Sequence, residues 1–223
     1  FKDLKENWDK EDRKSPPTKT QWERFVQSAN DFQDVLKSKL NEVPYKNDKT
    51  KILILPFGWT GSSPHAINLI IEKKKDKSKD SQNLYKLVVV NSGDGLNHHF
   101  SAPDPKNVYP WLNQLWIEFD DIEEERLFDE NAWFAQMMIR LQHDASVKDN
   151  ETIAKSAPNY FYFSILSNFK DKVTKNKAQD KLSPAQRSGS CTLSSLMAAY
   201  LYFANSKETY NLNSVKLGHV ILI

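Results

Sequence analysis

The residue best suited to chemistry in this 223-residue chain is its one cysteine, Cys191. It follows a short Ser- and Gly-containing stretch after Gln186 and precedes an apolar segment, so we expect it in the first turn of a helix. That turn presents unpaired N–H groups and a partial positive charge, which favour the nucleophilic thiolate. The N–H of Cys191 and the side-chain amide of Gln186 are suited to hold the oxyanion of an attacked carbonyl. A buried structural cysteine is the alternative.

A histidine and an asparagine are predicted to meet at one end of a small sheet. His65 begins an apolar run at residues 65–71, and Asn91 ends another at residues 84–91. The polar segment between the runs predicts a hairpin connection, which sets the start of one strand beside the end of the other. The Asn91 carbonyl would then hold one ring nitrogen of His65 and leave the other to accept the thiol proton.

Other residues near this pair leave alternatives open. Asp94 competes with Asn91 for the orienting role, because a carboxylate stabilises an imidazolium better than an amide does. His98 and His99 form a second candidate pair, but adjacent strand residues point to opposite sides, so at most one of them could enter the site. A polar loop is the simpler interpretation for both. Trp59 is predicted to be a core residue or a wall of the substrate groove.

The motifs around these residues resemble those of the papain-like cysteine peptidase superfamily. His-Ala-Ile at residues 65–67 and the strand that ends in Asn-Ser at residues 85–92 look like that superfamily's histidine and asparagine strands. Residues 186–191 look like its Gln…Gly-Ser-Cys segment at the head of the central helix. The His–Asn–Gln–Cys order is the permuted one of the ubiquitin-like-protein proteases, the adenovirus protease and the bacterial-effector acetyltransferases. The resemblance implies the nucleophile Cys191, the general base His65, the orienting residue Asn91 and the oxyanion donor Gln186.

Three functions follow from the resemblance. The first is a thiol-dependent hydrolase that cleaves a peptide or isopeptide bond in a protein substrate, with ubiquitin or a ubiquitin-like protein suggested by the permuted order. The second is a thiol acyltransferase, which shares the thioester step and differs in its acceptor. The third is an inactive papain-like binding module, because the Gln–Cys spacing is one residue short and Ala66 and Thr192 replace frequent aromatic residues. None of the three requires a cofactor or a metal.

Apolar periodicity predicts the elements of the first third of the chain. Spacing of three and four over residues 21–40 predicts an amphipathic helix, with Thr18 or Thr20 as its N-cap. The apolar run at residues 52–55 predicts a strand, and Pro56 is expected to end it.

Two charged segments are predicted to be solvated. Residues 72–83, with the tract Lys73-Lys74-Lys75, are expected to connect two strands as a hairpin. Residues 118–125 are acidic but contiguous rather than alternating, so they lack the calcium-loop pattern and predict a solvated acidic face.

Helical spacing predominates in the second half of the chain. It occurs at residues 107–116 and 130–141, which predicts a mainly helical insertion around residues 107–180. The aromatic-rich residues 160–169 are ambiguous between strand and helix. Residues 191–204 predict a helix buried on at least one side, with one apolar stripe of Leu193, Leu196, Met197, Tyr200, Leu201 and Ala204.

Composition excludes several classes of protein. With 31 basic and 29 acidic residues the net charge is +2, so no strong field favours nucleic acid. No apolar run approaches the roughly 18 residues of a membrane span. A 12% aromatic content supports a folded core, and one cysteine excludes an internal disulfide or a cysteine-cluster zinc site.

These patterns together predict an α+β fold: a papain-like core of a small antiparallel sheet packed on a central helix, with an additional mainly helical lobe. Residues 1–19 are predicted to be an irregular lead-in and residues 20–223 a single catalytic domain. A start at Phe1, without Met or a signal-peptide pattern, is expected of a piece of a longer protein. A reduced thiol and a composition rich in Lys and Asn predict a cytosolic site of action, such as that of a bacterial effector secreted into a host cell.

Overall fold

The structure is a computed structural model that describes residues 18–42, 50–60, 64–75, 83–109, 111–143, 151–174, 182–183 and 191–205. Most of the predicted lead-in, the middle of the predicted hairpin connection and Gln186 lie outside the described residues. The helices are α1 (Lys19–Glu42), α2 (Glu124–Leu127), α3 (Trp133–His143), α4 (Glu151–Phe169) and α5 (Cys191–Asn205). The strands are β1 (Thr50–Trp59), β2 (His65–Lys75), β3 (Asn83–Val90), β4 (Ser101–Pro103), β5 (Trp111–Gln114), β6 (Trp116–Glu123) and β7 (Leu182–Ser183).

A four-stranded antiparallel sheet in the order β1-β2-β3-β6 forms the centre of the fold. Trp59 lies opposite His65 in the first hairpin, and Asn68 lies opposite Val90 in the next pair. The three strands predicted at residues 52–55, 65–71 and 84–91 are therefore confirmed, as is the α+β class. Three short strands form a second sheet in the order β4-β5-β7.

The two faces of the main sheet carry separate apolar cores. Because side chains alternate along a strand, the odd-numbered residues of β2 face one side and the even-numbered residues the other. The first face, with Leu55, Ile67 and Leu69, packs in one large cluster with side chains of α1, α3 and α4. The opposite face, with Ile70 and Val88, packs against α5.

The prediction that Pro56 ends the first strand is wrong. Strand β1 continues through this residue to Trp59, and Pro56 is paired in register with Asn68. Among the strands that the structure describes, β1 is at the edge of the sheet and pairs with β2 alone. A proline is tolerated in an edge strand, since only one side of that strand has to supply hydrogen bonds to a neighbour.

The helix predicted at residues 107–116, and with it the start of the predicted helical insertion, is also wrong. Strand β5 covers Trp111–Gln114, and β6 enters the main sheet beside β3. Local spacing of three and four is overridden here because residues 111–114 pair with β4 and β7, and Trp116 pairs with Val90 of β3.

The predicted connection between two antiparallel strands is confirmed, but the described ends of this segment and most of the acidic segment belong to the sheet. Strand β2 runs on to Lys75, and the acidic segment lies in β6 and α2. Lys74 forms an ion pair with Asp120, and Lys86 forms one with Glu118 at 2.6 Å. Acidic residues of β6 are therefore paired with a lysine of the neighbouring strand β3 and with one of β2, the next strand beyond it.

The predicted helices at residues 21–40 and 130–141 are confirmed as α1 and α3, and residues 160–169 are helical as the end of α4. Thr18 is the N-cap of α1. Its Oγ1 accepts the N–H of Gln21 at 3.3 Å, while its own N–H donates to Gln21 Oε1 at 2.6 Å. This reciprocal arrangement is a capping box.

Helix α5 confirms the helix predicted at residues 191–204, but the predicted apolar stripe lies on its outer side. Leu193, for example, is 65% exposed. Small residues allow the other side of the helix to approach the sheet closely, and two aromatic rings fill the remaining space. The buried side consists of Ser195, Ala198, Ala199, Tyr202 and Phe203.

The orientation of α5 predicts a contrast between two truncations. Phe203→Ala removes a ring from the second core and should lower the free energy of unfolding by roughly 3 kcal/mol. Leu193→Ala on the outer side should change it by less than about 0.5 kcal/mol. Urea unfolding of both variants measures the difference, and equal losses would contradict this orientation.

Candidate functional site

His65 and Asn91 lie in contact at the end of the main sheet. His65 is the first residue of β2, and Asn91 directly follows β3. Their side chains form a hydrogen bond of 2.7 Å between His65 Nε2 and Asn91 Oδ1. A carboxamide oxygen only accepts, so His65 donates from Nε2. In the neutral ring, Nδ1 is then the nitrogen that can take up a proton.

The Asn91 amide is fixed in this orientation by the backbone around it. Its Oδ1 accepts the N–H of Gly93 at 2.9 Å, and its Nδ2 donates to the carbonyl of Asp94 at 2.6 Å. The main-chain N–H of Asn91 donates to the carbonyl of Leu115 at 2.9 Å. Asn91 is fully buried, so a rotated amide would leave several polar groups without partners.

Asp94, the alternative orienting residue, meets this site through its main chain. It is exposed, and its carbonyl oxygen accepts a bond from the Asn91 amide. The side chain beside the His65 ring is therefore the amide of Asn91.

The ring of the half-buried His65 is enclosed by Trp59 and Gly93. Trp59 is paired with His65 in register, is 2% exposed, and has its ring centroid 5.4 Å from that of the imidazole. It is thus a core residue that packs on the histidine. A Cβ on Gly93 would lie 2.5 Å from His65 Cε1, so this position has room for glycine alone beside the present ring.

Two further residues extend the site inwards. The Tyr162 hydroxyl accepts a hydrogen bond from Asn91 Nδ2 at 3.0 Å, and it lies 2.7 Å from His99 Nε2. His99 Nδ1 in turn lies 2.8 Å from the carbonyl oxygen of Gln114. All of these contacts are buried. Four side chains, from His65 to His99, thus form one continuous hydrogen-bonded row.

Only part of this inner region could be predicted from the sequence. The sequence predicted that at most one of His98 and His99 could point into the site, and His99 does so. His98 stacks on the ring of Tyr162, with a centroid distance of 4.7 Å, and is hydrogen-bonded to Asn159. The simpler interpretation, a polar loop for both histidines, is wrong for the buried His99. Tyr162 was missed because the sequence left residues 160–169 ambiguous between strand and helix.

Burial keeps His99 and Tyr162 uncharged. Desolvation lowers the pKa of His99 to about 4, although its bond to the Gln114 carbonyl acts in the opposite direction. Desolvation also raises the pKa of Tyr162, against the smaller effect of its bond with Asn91. Both residues are therefore neutral near pH 7.

Cys191 is the first residue of α5 and is half-buried. Helix α5 covers the even-numbered face of β2, whereas His65 and Asn91 project to the other face. Among the described residues, the hydrogen bond of the His65 ring is to Asn91, and no bond joins His65 to Cys191. The structure therefore does not join the candidate nucleophile to the candidate base.

No protein-family model, curated protein or solved structure matches this chain. Within the described ranges, no group of three or more His, Cys, Asp and Glu residues is arranged to hold a metal ion. None of the described helices combines the length and apolar character needed to cross a bilayer.

Buried His99 predicts a specific dependence of stability on pH. The unfolded histidine titrates near 6.5 and the folded one has a pKa of about 4, so between these values the unfolded state binds more protons. Stability should therefore decrease as pH falls, by about 2 kcal/mol between pH 7 and pH 5 for this residue. Urea unfolding of the wild type and His99→Gln at both pH values measures it. Equal decreases in the two proteins would contradict the assignment.

Proposed function

We propose that this protein is a thiol-dependent hydrolase that cleaves a peptide or isopeptide bond in a protein substrate. Cys191 is the nucleophile, His65 the general base, and Asn91 the residue that orients it. Gln186 and the main-chain N–H of Cys191 hold the oxyanion.

The observation that carries the proposal is the hydrogen bond between His65 Nε2 and the buried amide of Asn91. It assigns the two ring nitrogens different roles, because Nε2 is occupied as a donor and Nδ1 remains basic. The same division of roles allows an imidazole to accept a proton from a nucleophile and return it later. A histidine that served only the core would not need a buried amide held from three sides.

The proposal requires the first turn of α5 to reach the His65 end of the sheet. The Tyr202 hydroxyl, near the other end of the helix, donates to Glu72 Oε1 at 3.2 Å. The strand residues that complete the second core, including Ile70 and Val90, lie between Glu72 and the His65 end. Cys191 precedes Tyr202 by three helical turns, or about 16 Å. These contacts favour a course of α5 along β2 with Cys191 towards His65.

The reaction proceeds in two halves on these groups. His65 Nδ1 takes the proton of the Cys191 thiol, and the thiolate adds to the substrate carbonyl carbon. The oxyanion is held while the imidazolium returns the proton to the leaving amine, and a thioester remains. Water then adds to the thioester, losing a proton to His65, which passes it to the departing Cys191 sulfur. The products are the amine and a free carboxylate.

We further propose ubiquitin or a ubiquitin-like protein as the substrate and the cytosol, including that of a host cell, as the place of action. The support is the permuted His–Asn–Gln–Cys order of the chain, which resembles that of the ubiquitin-like-protein proteases.

A panel of ubiquitin and ubiquitin-like proteins with a C-terminal electrophile tests the nucleophile and the substrate together. We expect one probe to add to the protein in a 1:1 ratio, on Cys191, as measured by intact mass and peptide mapping. Cys191→Ala should abolish the adduct, since the chain has one thiol. His65→Ala should slow it by about tenfold or more. His143→Ala, at the end of α3, is the matched control and should leave the rate unchanged.

The enzyme proposal would be contradicted if iodoacetamide alkylated Cys191 at the same rate in the folded wild type and in folded His65→Ala. That result would favour the binding module. Transfer of the acyl group to an amine, with no free carboxylate formed, would favour the acyltransferase.

The choice between Asn91 and Asp94 has its own test. Asn91→Ala removes the acceptor of His65 Nε2–H and should lower kcat by about tenfold to a hundredfold. Asp94→Ala retains the carbonyl that Asn91 uses and should stay within about threefold of the wild type. The two assignments are distinguished by cleavage rates on a substrate that contains the same ubiquitin-like protein as the reactive probe (the probe-matched substrate). Thermal unfolding of each variant is measured alongside. A larger loss in Asp94→Ala would reverse the assignment.

A further inference from the structure

We propose that Tyr162 and His99 are positioning residues for the His65–Asn91 pair. Through them, the main-chain carbonyl of Gln114 sets the direction of the hydrogen bonds as far as Asn91. Together with the N–H of Gly93 and the carbonyl of Asp94, they hold the Asn91 amide with its oxygen towards His65. The effect on catalysis rests on the function proposed above, whereas the proton arrangement does not.

The direction of the bonds follows from the Gln114 end. A carbonyl oxygen only accepts, so His99 donates from Nδ1 over 2.8 Å. A neutral imidazole has one N–H, so His99 Nε2 accepts the hydroxyl proton of Tyr162 over 2.7 Å. The neutral state of His99 agrees with its burial, which lowers its pKa to about 4.

From Tyr162 the hydrogen bonds continue outwards to His65. The Tyr162 hydroxyl donates its hydrogen bond to His99, so its oxygen is free to accept one from the second Nδ2 proton of Asn91, at 3.0 Å. The first Nδ2 proton goes to the Asp94 carbonyl. Both amide protons are thereby directed inwards, and Oδ1 is directed to His65 Nε2. The row ends with Nδ1 of His65 as its basic atom.

The Tyr162 ring is held so that its hydroxyl cannot move away from Asn91. The residue is 1% exposed, on the inner side of α4, and His98 stacks on the ring at 17°. The loop after β3 approaches closely, since a Cβ on Gly95 would lie 2.7 Å from Tyr162 Cε2. The row therefore connects the sheet end to a helix that is anchored in the large core.

The hydroxyl of Tyr162 has a role separate from packing. Without it, one Asn91 Nδ2 proton and the Nε2 lone pair of His99 would both be buried without partners. The ring of Phe would occupy the same space, so Tyr162→Phe tests the hydroxyl alone. Tyr160→Phe removes a hydroxyl from the same helix outside the row and is the matched control.

The tautomers of the histidines can be measured by long-range 1H–15N NMR on 15N-labelled protein, with His65→Gln and His99→Gln for assignment. In the wild type at pH 7 we expect neutral His99 with its proton on Nδ1. In the neutral form of His65, we expect the proton mainly on Nε2. A His99 proton on Nε2, or a charged His99, would overturn the proposal. This measurement needs no enzyme activity.

The variants then test whether the row reaches the site. Tyr162→Phe should raise the Nδ1–H fraction of neutral His65 at least about twofold, and Tyr160→Phe should not. On the probe-matched substrate, Tyr162→Phe should lower kcat by about tenfold with KM within about twofold. A His65 tautomer unchanged in Tyr162→Phe would overturn the proposal. If the tautomers are as expected but no probe labels Cys191, the hydrolase fails and the positioning row stands.

Discussion

The site depends on one constraint, which is that the amide of Asn91 is buried with both of its ends in use. A buried carboxamide must satisfy an acceptor and two donor protons, and here backbone groups of Gly93 and Asp94 meet part of that demand. The amide's remaining hydrogen bonds are made to His65 on one side and to Tyr162 on the other. Since a rotation of the amide would break all of these bonds together, the loop, the helix α4 and the imidazole are held as one unit.

The sheet separates the components of the proposed reaction. The proposed base and its orienting residue lie on the face of the sheet that packs in the large core, while the thiol begins a helix on the opposite face. The proposed reaction therefore requires the two sets of groups to come together at the end of the sheet. The Trp59–His65 pair at this end fixes the imidazole from the side of the core. Any substrate of the proposed reaction would bind across an edge made by two independently packed layers.

The sequence predicted the parts of this arrangement that depend on local pattern. The strands that carry His65 and Asn91 were identified because apolar runs and polar connections specify hairpins. Strand β6 was not, because its pairing with β3 is a long-range contact and its acidic residues obscured the buried Ile117 and Phe119. Tyr162 reaches Asn91 across 71 positions of chain, and no local pattern encodes such a contact. The side of α5 that packs on the sheet was wrongly predicted because several of the residues that contact the sheet are small, rather than the large apolar residues of the stripe.

The antiparallel register of β2 has a consequence for how this chain can vary. Successive strand residues face opposite sides, so a slip of β2 by one position would turn His65 towards α5 and present Ala66 to Asn91. Every element would still form, yet the imidazole and the amide would be separated by the thickness of the sheet. A single-residue insertion within the strand is thus far more damaging than a long insertion in the connection that follows it. Length variation between related chains should accordingly be confined to the loops.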